Sequence, residues 1–183
     1  MKAVVRDTYG TADVLRLQDI DQPVAGNADV VLRVYAAILF IGDWLIMTGL
    51  PYAIRPRFGF RAPRIRVRGQ DVAGIVEAVC EDVTGFAPGD EVFGTCDGSF
   101  AEYATARQGA LAPKPANLTL EQAATVPVTG TTALQALRDK GRVQPGQHVL
   151  IIGAAGRVGR SRCRLPRPSE PTSPACAARH RWT

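Results

Sequence analysis

The sequence is poor in the residues that build metal centres and disulfide frameworks. It holds four cysteines and two histidines among 183 residues, and no two cysteines have the Cys-x-x-Cys spacing. Zinc is held by three or four thiolate, imidazole or carboxylate ligands at short, regular spacings. The cysteine pattern therefore favours reduced cysteines in the cytosol over a zinc site or a set of disulfides.

Long apolar runs are also missing. The longest run, residues 35–50, is interrupted by Gly42 and Asp43, whereas a membrane-spanning helix needs about 20 apolar residues. The N-terminal residues 1–7 lack the apolar centre of a signal peptide. We therefore expect a soluble, cytoplasmic protein that has no membrane partner.

Acidic residues are nearly absent from the end of the chain. Residues 160–183 contain six arginines and one acid, Glu170, and this difference equals the whole net charge of +5. Residues 1–159 are therefore neutral overall, and we expect no nucleic-acid partner.

Arginine is concentrated a second time, between residues 51 and 68. This stretch carries six arginines and three prolines and is predicted to be a surface loop. One interpretation is a solvated face, and the other is a cationic rim that attracts an anionic cofactor.

Residues 1–115 have the pattern of an all-β barrel or sandwich, with short strands punctuated by glycine and proline. Gly74 within a strand predicts a bulge or a close backbone approach, and Pro88-Gly89 suits a type II turn. The strands are predicted at residues 2–6, 14–20, 29–37, 72–79, 91–94 and 99–105.

Helical patterns are found at three places. Residues 41–48 predict one or two turns of helix. Thr119 and Gln122 form a capping box for a short helix that stops before Pro127. Residues 131–140 predict another helix, with Gly141 as its C-cap.

The stretch from His148 to Gly159 is predicted to be a buried parallel strand followed by a phosphate-binding turn. Branched apolar residues at 149–152 run into a turn that contains Gly153, Gly156 and Gly159. In such turns backbone N–H groups approach a pyrophosphate, and the dipole of the following helix adds positive charge.

Jointly, these motifs resemble the medium-chain dehydrogenase/reductase superfamily, in its zinc-independent, quinone oxidoreductase-like branch. The residues that carry the resemblance are MKAVV at 1–5, GDW at 42–44, GQDVAGIV at 69–76, GFAPGDEVFG at 85–94, GSFAEY at 98–103, AATVP at 123–127, TTALQ at 131–135 and the turn at 153–159.

The resemblance implies a mainly β GroES-like substrate domain at residues 1–122, then the beginning of an α/β Rossmann domain at 123–159. It implies NADPH or NADH as cofactor and hydride transfer to a small molecule: a quinone, an activated alkene or a carbonyl. It also implies a homodimer in intact relatives. The implied cofactor-binding residues are Thr129, Gly153, Ala154, Ala155, Gly156, Arg157, Val158 and Gly159.

Several implied site residues have an alternative interpretation. Asp43 is the titratable candidate for catalysis, or a carboxylate that caps the helix of Trp44. Thr129 contacts the nicotinamide or is a helix N-cap. Phe40, Trp44 and Phe93 line a substrate pocket, although Trp44 and Phe93 also suit a core. Arg157, where relatives have glycine, pairs with a phosphate or crowds it.

The family's zinc ligands are missing. Zinc-dependent members have a cysteine in the stretch that here reads Leu39 to Asp43, and a histidine where this chain has Gln70. We therefore expect no metal, and a reaction that depends on holding the nicotinamide against the acceptor.

The composition changes abruptly at residue 160. Prolines 166, 168, 171 and 174 are predicted to prevent the helix that should follow the turn, and we interpret residues 160–183 as an aberrant basic tail. One GC-rich choice of codons for this tail, read two bases further on, encodes an amphipathic helix and a second strand.

We predict a frameshift near residue 160, with a genuine basic tail as the alternative. The nucleotide sequence after the Gly159 codon tests this. A family-like helix encoded in another frame is the expected result, and its absence from every frame would show that the tail is genuine.

Overall fold

A five-stranded antiparallel sheet organises the first part of the protein. In this computed structural model, residues 1–144 and 147–164 are described, and the chain divides into two units after Pro127. The strands are β1 (Lys2–Val5), β2 (Arg16–Asp19), β3 (Asp29–Ile38), β4 (Asp71–Val79), β5 (Glu91–Thr95), β6 (Tyr103–Arg107) and β7 (Leu111–Pro113). The helices are α1 (Ile41–Thr48), α2 (Arg55–Phe58), α3 (Leu120–Ala124), α4 (Pro127–Gln135) and α5 (Arg157–Arg164).

The order of strands in the sheet is β6-β3-β4-β5-β7. Alternate residues of the central strands point to one side and form the main core, because successive side chains of a strand face opposite ways. The fully buried members of this cluster are Val30, Leu32, Val72, Val76 and Val92. Strands β1 and β2 form a separate antiparallel pair. The predicted β-rich fold of residues 1–115 is confirmed.

The two turn signals of this region are also confirmed. Asp90 N–H donates to the Ala87 carbonyl at 3.1 Å, and Gly89 has a φ of +97°, as the third position of a type II turn requires. Thr119 and Gln122 make both hydrogen bonds of the capping box at the start of α3.

Helix α3 covers a second, smaller core. Leu120, Ala123 and Ala124 pack against Ala73, and Phe93 lies beside them. The small side chains of α3 let the helix lie close to β4, and this contact explains why a helix of only five residues is stable.

Some boundaries differ from the predictions. Strand β6 begins at Tyr103, four residues after the predicted start, and β7 was not predicted. Helix α4 begins at Pro127, not at Thr131, because proline suits the first position of a helix. Residues 136–140 form a π-helical turn, which ends at the predicted C-cap, Gly141. Within the predicted loop at 51–68 lie a 3₁₀ turn, Tyr52–Ile54, and α2.

The predicted buried strand at residues 148–152 is wrong. These residues form no strand, and Leu150 and Ile152 are 78% and 89% exposed. A parallel strand is stable only between neighbouring strands and beneath covering helices, and the described residues after Pro127 contain no other strand.

The prediction that proline prevents a helix after the turn is wrong as far as Arg164. Helix α5 spans Arg157–Arg164, and the first proline of the tail, Pro166, comes after it. The proposed aberrant tail therefore begins as a helix, and residues 165–183 lie outside the described residues.

Gly74 is the point where β3 and β4 come closest. A Cβ atom at Gly74 would lie 2.3 Å from the Arg33 carbonyl oxygen, so the predicted close backbone approach is confirmed. The register between the two strands shifts on either side of this point, between Val31 and Leu32 and between Val34 and Ala36.

We predict that Gly74→Ala lowers the free energy of unfolding by about 2 kcal/mol, because the strands must separate to admit a methyl group. Urea unfolding measures the change. Gly109→Ala is the matched control, since nothing lies within 4 Å of a Cβ at Gly109. Equal stability of the two variants would contradict the prediction.

Candidate functional site

A buried carboxylate lies at the beginning of α1. Asp43 occupies the first turn of the helix, and its Oδ2 accepts a hydrogen bond from the Phe40 N–H at 3.2 Å. The side chain is 2% exposed. An acceptor at this position satisfies one of the N–H groups that a helix leaves without a partner at its start.

The ionic partner of Asp43 comes from a distant part of the sequence. Arg68 Nη2 lies 3.5 Å from Asp43 Oδ1, and both side chains are buried. A separation of 3.5 Å is long for a hydrogen bond, so the contact is mainly an ion pair. Burial raises the pKa of Asp43, while the Phe40 amide and the Arg68 guanidinium act in the opposite direction.

A second buried arginine holds the other end of α1. Arg6 Nη1 donates to the carbonyl oxygens of Ile46 and Met47 at 2.8 and 2.9 Å. Burial, and then the charge of Arg68, lower the pKa of Arg6. A cation at the last carbonyls of a helix offsets its negative dipole end.

Helix α1 is therefore held at both ends by buried charges. This geometry supports the interpretation of Asp43 as a helix cap, and a catalytic role for Asp43 stays a prediction. Arg6 and Arg68 were missed by the sequence reasoning. Six arginines between residues 51 and 68 look alike in sequence, and nothing local distinguishes Arg68 as a buried one.

The three aromatic candidates have different environments. Trp44 is 47% exposed, so it does not belong to the core. Phe40 is half-buried and lies against the backbone of Gly42. Phe93 packs with α3 in the smaller core. The structure thus brings Phe40 and Trp44 together with Asp43 at the start of α1, while Phe93 contributes to packing.

No group of three or more possible metal ligands is present among the residues that the structure describes. Cys96 is buried, and this burial, with Asp97 and Asp71 nearby, raises the pKa of its thiol to about 12. A thiol with that pKa is protonated at neutral pH and is a poor metal ligand. The expectation that the protein binds no zinc stays a prediction.

In the second unit, the predicted phosphate-binding turn leads directly into α5. Gly153 has a φ of +73°, and the Gly156 N–H donates to its carbonyl at 2.9 Å. A Cβ at Gly159 would lie 2.2 Å from the same carbonyl oxygen, so the helix packs against the turn through a position that only glycine can occupy. The structure thus explains why glycine is required at positions 153 and 159.

The remaining residues of the turn are placed around the start of α5. Ala154 is buried, Ala155 and Val158 are half-buried, and Arg157 is exposed at the first position of the helix. Thr129 is buried in the first turn of α4, which begins at Pro127. The alternative interpretation of Thr129 as an N-cap is therefore wrong.

Within the described residues, no helix is long and apolar enough to cross a membrane.

We predict that Arg68→Met lowers the free energy of unfolding by about 3 kcal/mol at neutral pH, because it leaves the Asp43 carboxylate buried without its ionic partner. Urea unfolding measures the change. Arg33→Met is the control, because the ion pair of Arg33 with Glu77 is exposed and such pairs contribute about 0–1 kcal/mol.

The pH dependence tests the cause. A raised pKa in the folded state means that stability falls as pH rises from the ordinary carboxyl pKa to the raised one. Losing Arg68 raises the pKa of Asp43 further. The defect of Arg68→Met should therefore shrink towards acidic pH, where Asp43 is protonated. If Arg68→Met lowers the free energy of unfolding equally at neutral and at acidic pH, Asp43 is not the source of the loss.

Residues 26–116 match the family model described as the alcohol dehydrogenase GroES-like domain. Among curated proteins, the chain is similar to quinone oxidoreductase of Mus musculus, with 34% identity over 170 residues. The alignment covers 91% of this chain and 49% of that protein. The chain thus spans about half the length of the curated quinone oxidoreductases that it matches.

Two solved structures are similar to this chain over most of its length. The enoyl reductase CurK has a TM-score of 0.81 and 30% identity, with 88% of this chain and 49% of that chain covered. A mycobacterial protein complexed with NADPH has a TM-score of 0.77 and 28% identity, with 89% and 48% covered. With the matched GroES-like domain and these relatives, the chain belongs to the medium-chain dehydrogenase/reductase superfamily.

Proposed function

We propose that this chain derives from an NAD(P)H-dependent, zinc-independent oxidoreductase that transfers hydride to a quinone, an activated alkene or a carbonyl. The observation that carries the proposal is the GroES-like sheet with α1, found in a chain that is similar to a quinone oxidoreductase and an enoyl reductase. We assign residues 1–122 to the substrate domain and residues 123–159 to the beginning of the nucleotide domain.

The surface around α1 supports an uncharged acceptor. From Tyr35 to Ile54 the only ionisable acid or base among the side chains, apart from the two tyrosines, is Asp43, and Asp43 is buried. Trp44 and Phe40 therefore offer an apolar, aromatic surface on which a planar ring can lie. A charged substrate would find no counter-ion in this stretch.

The residues of the second unit fit a dinucleotide in part. The turn from Gly153 to Gly159 leads into the beginning of α5, where the positive end of the helix dipole favours a pyrophosphate. We propose that these residues, with Thr129, hold NADPH or NADH, which supplies the hydride. The strand that should position the turn is not formed, so we expect weak affinity.

The residues of the described site contribute to the reaction by positioning the acceptor. Hydride transfer leaves a negative charge on the acceptor, and water supplies the proton that neutralises it, so the described site needs no acid. Substitution of Phe40, Asp43 or Trp44 would act on where the acceptor lies. Holding two reactants in contact accelerates their reaction strongly without an acid or base. A cytoplasmic enzyme acting on a small molecule stays our expectation.

The second candidate is a remnant of such an enzyme that has no catalytic function. The observation that favours it is the exposure of Leu150 and Ile152, where a nucleotide domain needs a buried strand. An active oxidoreductase and a non-catalytic remnant would share the same ancestry and differ only in whether this chain catalyses the reaction.

We predict that this chain binds NADPH more weakly than micromolar, because neighbouring strands do not support the turn. Titration followed by nicotinamide fluorescence measures the affinity. The comparison is a chain in which residues 1–159 continue in the alternative reading frame. We expect that chain to bind NADPH and to oxidise it in the presence of a quinone.

Arg157→Gly in the frame-restored chain separates the two interpretations of Arg157. Because Arg157 is exposed at the start of α5, we expect the variant to bind NADPH several-fold more weakly. Micromolar binding by the unrestored chain would contradict the predicted weak affinity. A restored chain that binds NADPH but reduces no quinone, alkene or carbonyl would contradict the proposed reaction.

A further inference from the structure

The arginine-rich stretch is a folded loop with a distinct outer surface. Residues 51–66, which we call the arginine loop, contain the 3₁₀ turn Tyr52–Ile54 and α2. Between Trp44 and Gln70 the sequence has six arginines and no acidic residue. The neutrality of residues 1–159 as a whole therefore conceals a local excess of positive charge.

Tyr9 fixes the base of the arginine loop. Its hydroxyl donates to the Gly59 carbonyl at 2.5 Å, and its ring stacks on the Arg55 guanidinium, 4.6 Å away. On the other side Arg55 faces the ring of Tyr52 at 4.5 Å. Arg55 is thus used within the loop, between two aromatic rings.

The tip of the arginine loop is closed by its own backbone. Arg64 N–H donates to the Phe58 carbonyl at 2.9 Å, and the residues between them form a turn. Phe60 lies on this turn and is 74% exposed. The hydrogen bond closes the backbone of the turn that carries this exposed apolar side chain.

Three of the six arginines are left for an external partner. Arg66 pairs with Asp7 at 2.6 Å, and Arg68 is buried against Asp43. Arg57, Arg61 and Arg64 are exposed, and they form no ion pair within the described residues.

Apolar side chains are interleaved with these free cations. Tyr52 and Phe60 are 68% and 74% exposed, and the aliphatic Leu50 and Ile65, close to them in sequence, are partly exposed. An anionic bilayer surface matches both features, since lipid headgroups attract the guanidinium groups while apolar side chains enter the headgroup and acyl boundary. Bases of a nucleic acid stack on aromatic rings but offer nothing to exposed leucine and isoleucine.

We propose that the arginine loop is an interfacial docking surface for membranes that contain anionic lipids, with Arg57, Arg61 and Arg64 at the headgroups and Phe60 inserted. The sequence-based expectation of no membrane partner rested on the lack of a spanning segment and of a signal peptide. Neither bears on a surface that lies in the plane of the interface.

The test is co-sedimentation of the full chain with vesicles of phosphatidylcholine, with and without phosphatidylserine. We expect binding only to the vesicles that contain phosphatidylserine. Replacing Arg57, Arg61 and Arg64 together by glutamine should weaken it by about fivefold per arginine. Added salt should reduce the difference between this variant and the wild type.

The matched control replaces Arg16, Arg33 and Arg107 by glutamine. These residues are also exposed and lie outside the arginine loop. Their substitution removes the same charge and leaves the basic tail intact. We expect the control to bind as the wild type does. Phe60→Ser should weaken binding about tenfold without changing its salt dependence. Circular dichroism confirms that each variant is folded.

Four outcomes would overturn the proposal. The first is equal loss in the two triple variants, which would assign binding to net charge or to the tail. The second is no binding to phosphatidylserine vesicles. The third is an unchanged vesicle affinity of Phe60→Ser. The fourth comes from a parallel titration with a single-stranded oligonucleotide: if the variant of Arg57, Arg61 and Arg64 loses only oligonucleotide binding, the loop is a nucleic-acid surface.

Discussion

The ion pair between Asp43 and Arg68 is the interaction on which the arrangement of the first unit depends. The backbone at Arg68 is held in place, because the Arg68 carbonyl accepts from the Phe100 N–H and the Gly69 carbonyl accepts from the Gly98 N–H. The guanidinium of Arg68 is buried, and a buried charge is costly unless it is paired. Asp43 pairs with it and, by the same carboxylate, begins α1. One pair of charges thus sets both the path of residues 66–70 and the place of the helix that carries Trp44.

This arrangement also explains the uncharged character of the surface around α1. The one carboxylate of the stretch is turned inward to meet Arg68, and the outward positions are left to Phe40 and Trp44. Apolar acceptors such as quinones and enones suit a surface of this kind. The structural role of Asp43 and the proposed preference for neutral substrates are therefore two consequences of the same burial.

The two units show that an apolar segment forms a strand only where neighbouring strands can pair with it. In the first unit β3 lies between β4 and β6, so its alternating pattern is realised and Val30 and Leu32 are fully buried. In the second unit the apolar residues 149–152 have the composition of a strand but no strand to pair with among the described residues. Their backbone hydrogen bonds and their side chains both require partners from elsewhere, so composition alone does not produce the element. The glycine turn after them is local, and it forms.

Local signals determined much of the fold. The capping box of Thr119 and Gln122, the turn at Pro88-Gly89 and the span of α1 could each be predicted, because each depends on a few neighbouring residues. The family could also be identified from motifs along the chain. What only the tertiary structure decided was which charges are buried. Arg6 and Arg68 look like any other arginine in sequence. Arg6 precedes Ile46 by 40 residues, and Arg68 follows Asp43 by 25. They support the two ends of α1 because the folded chain brings them to places where water is excluded.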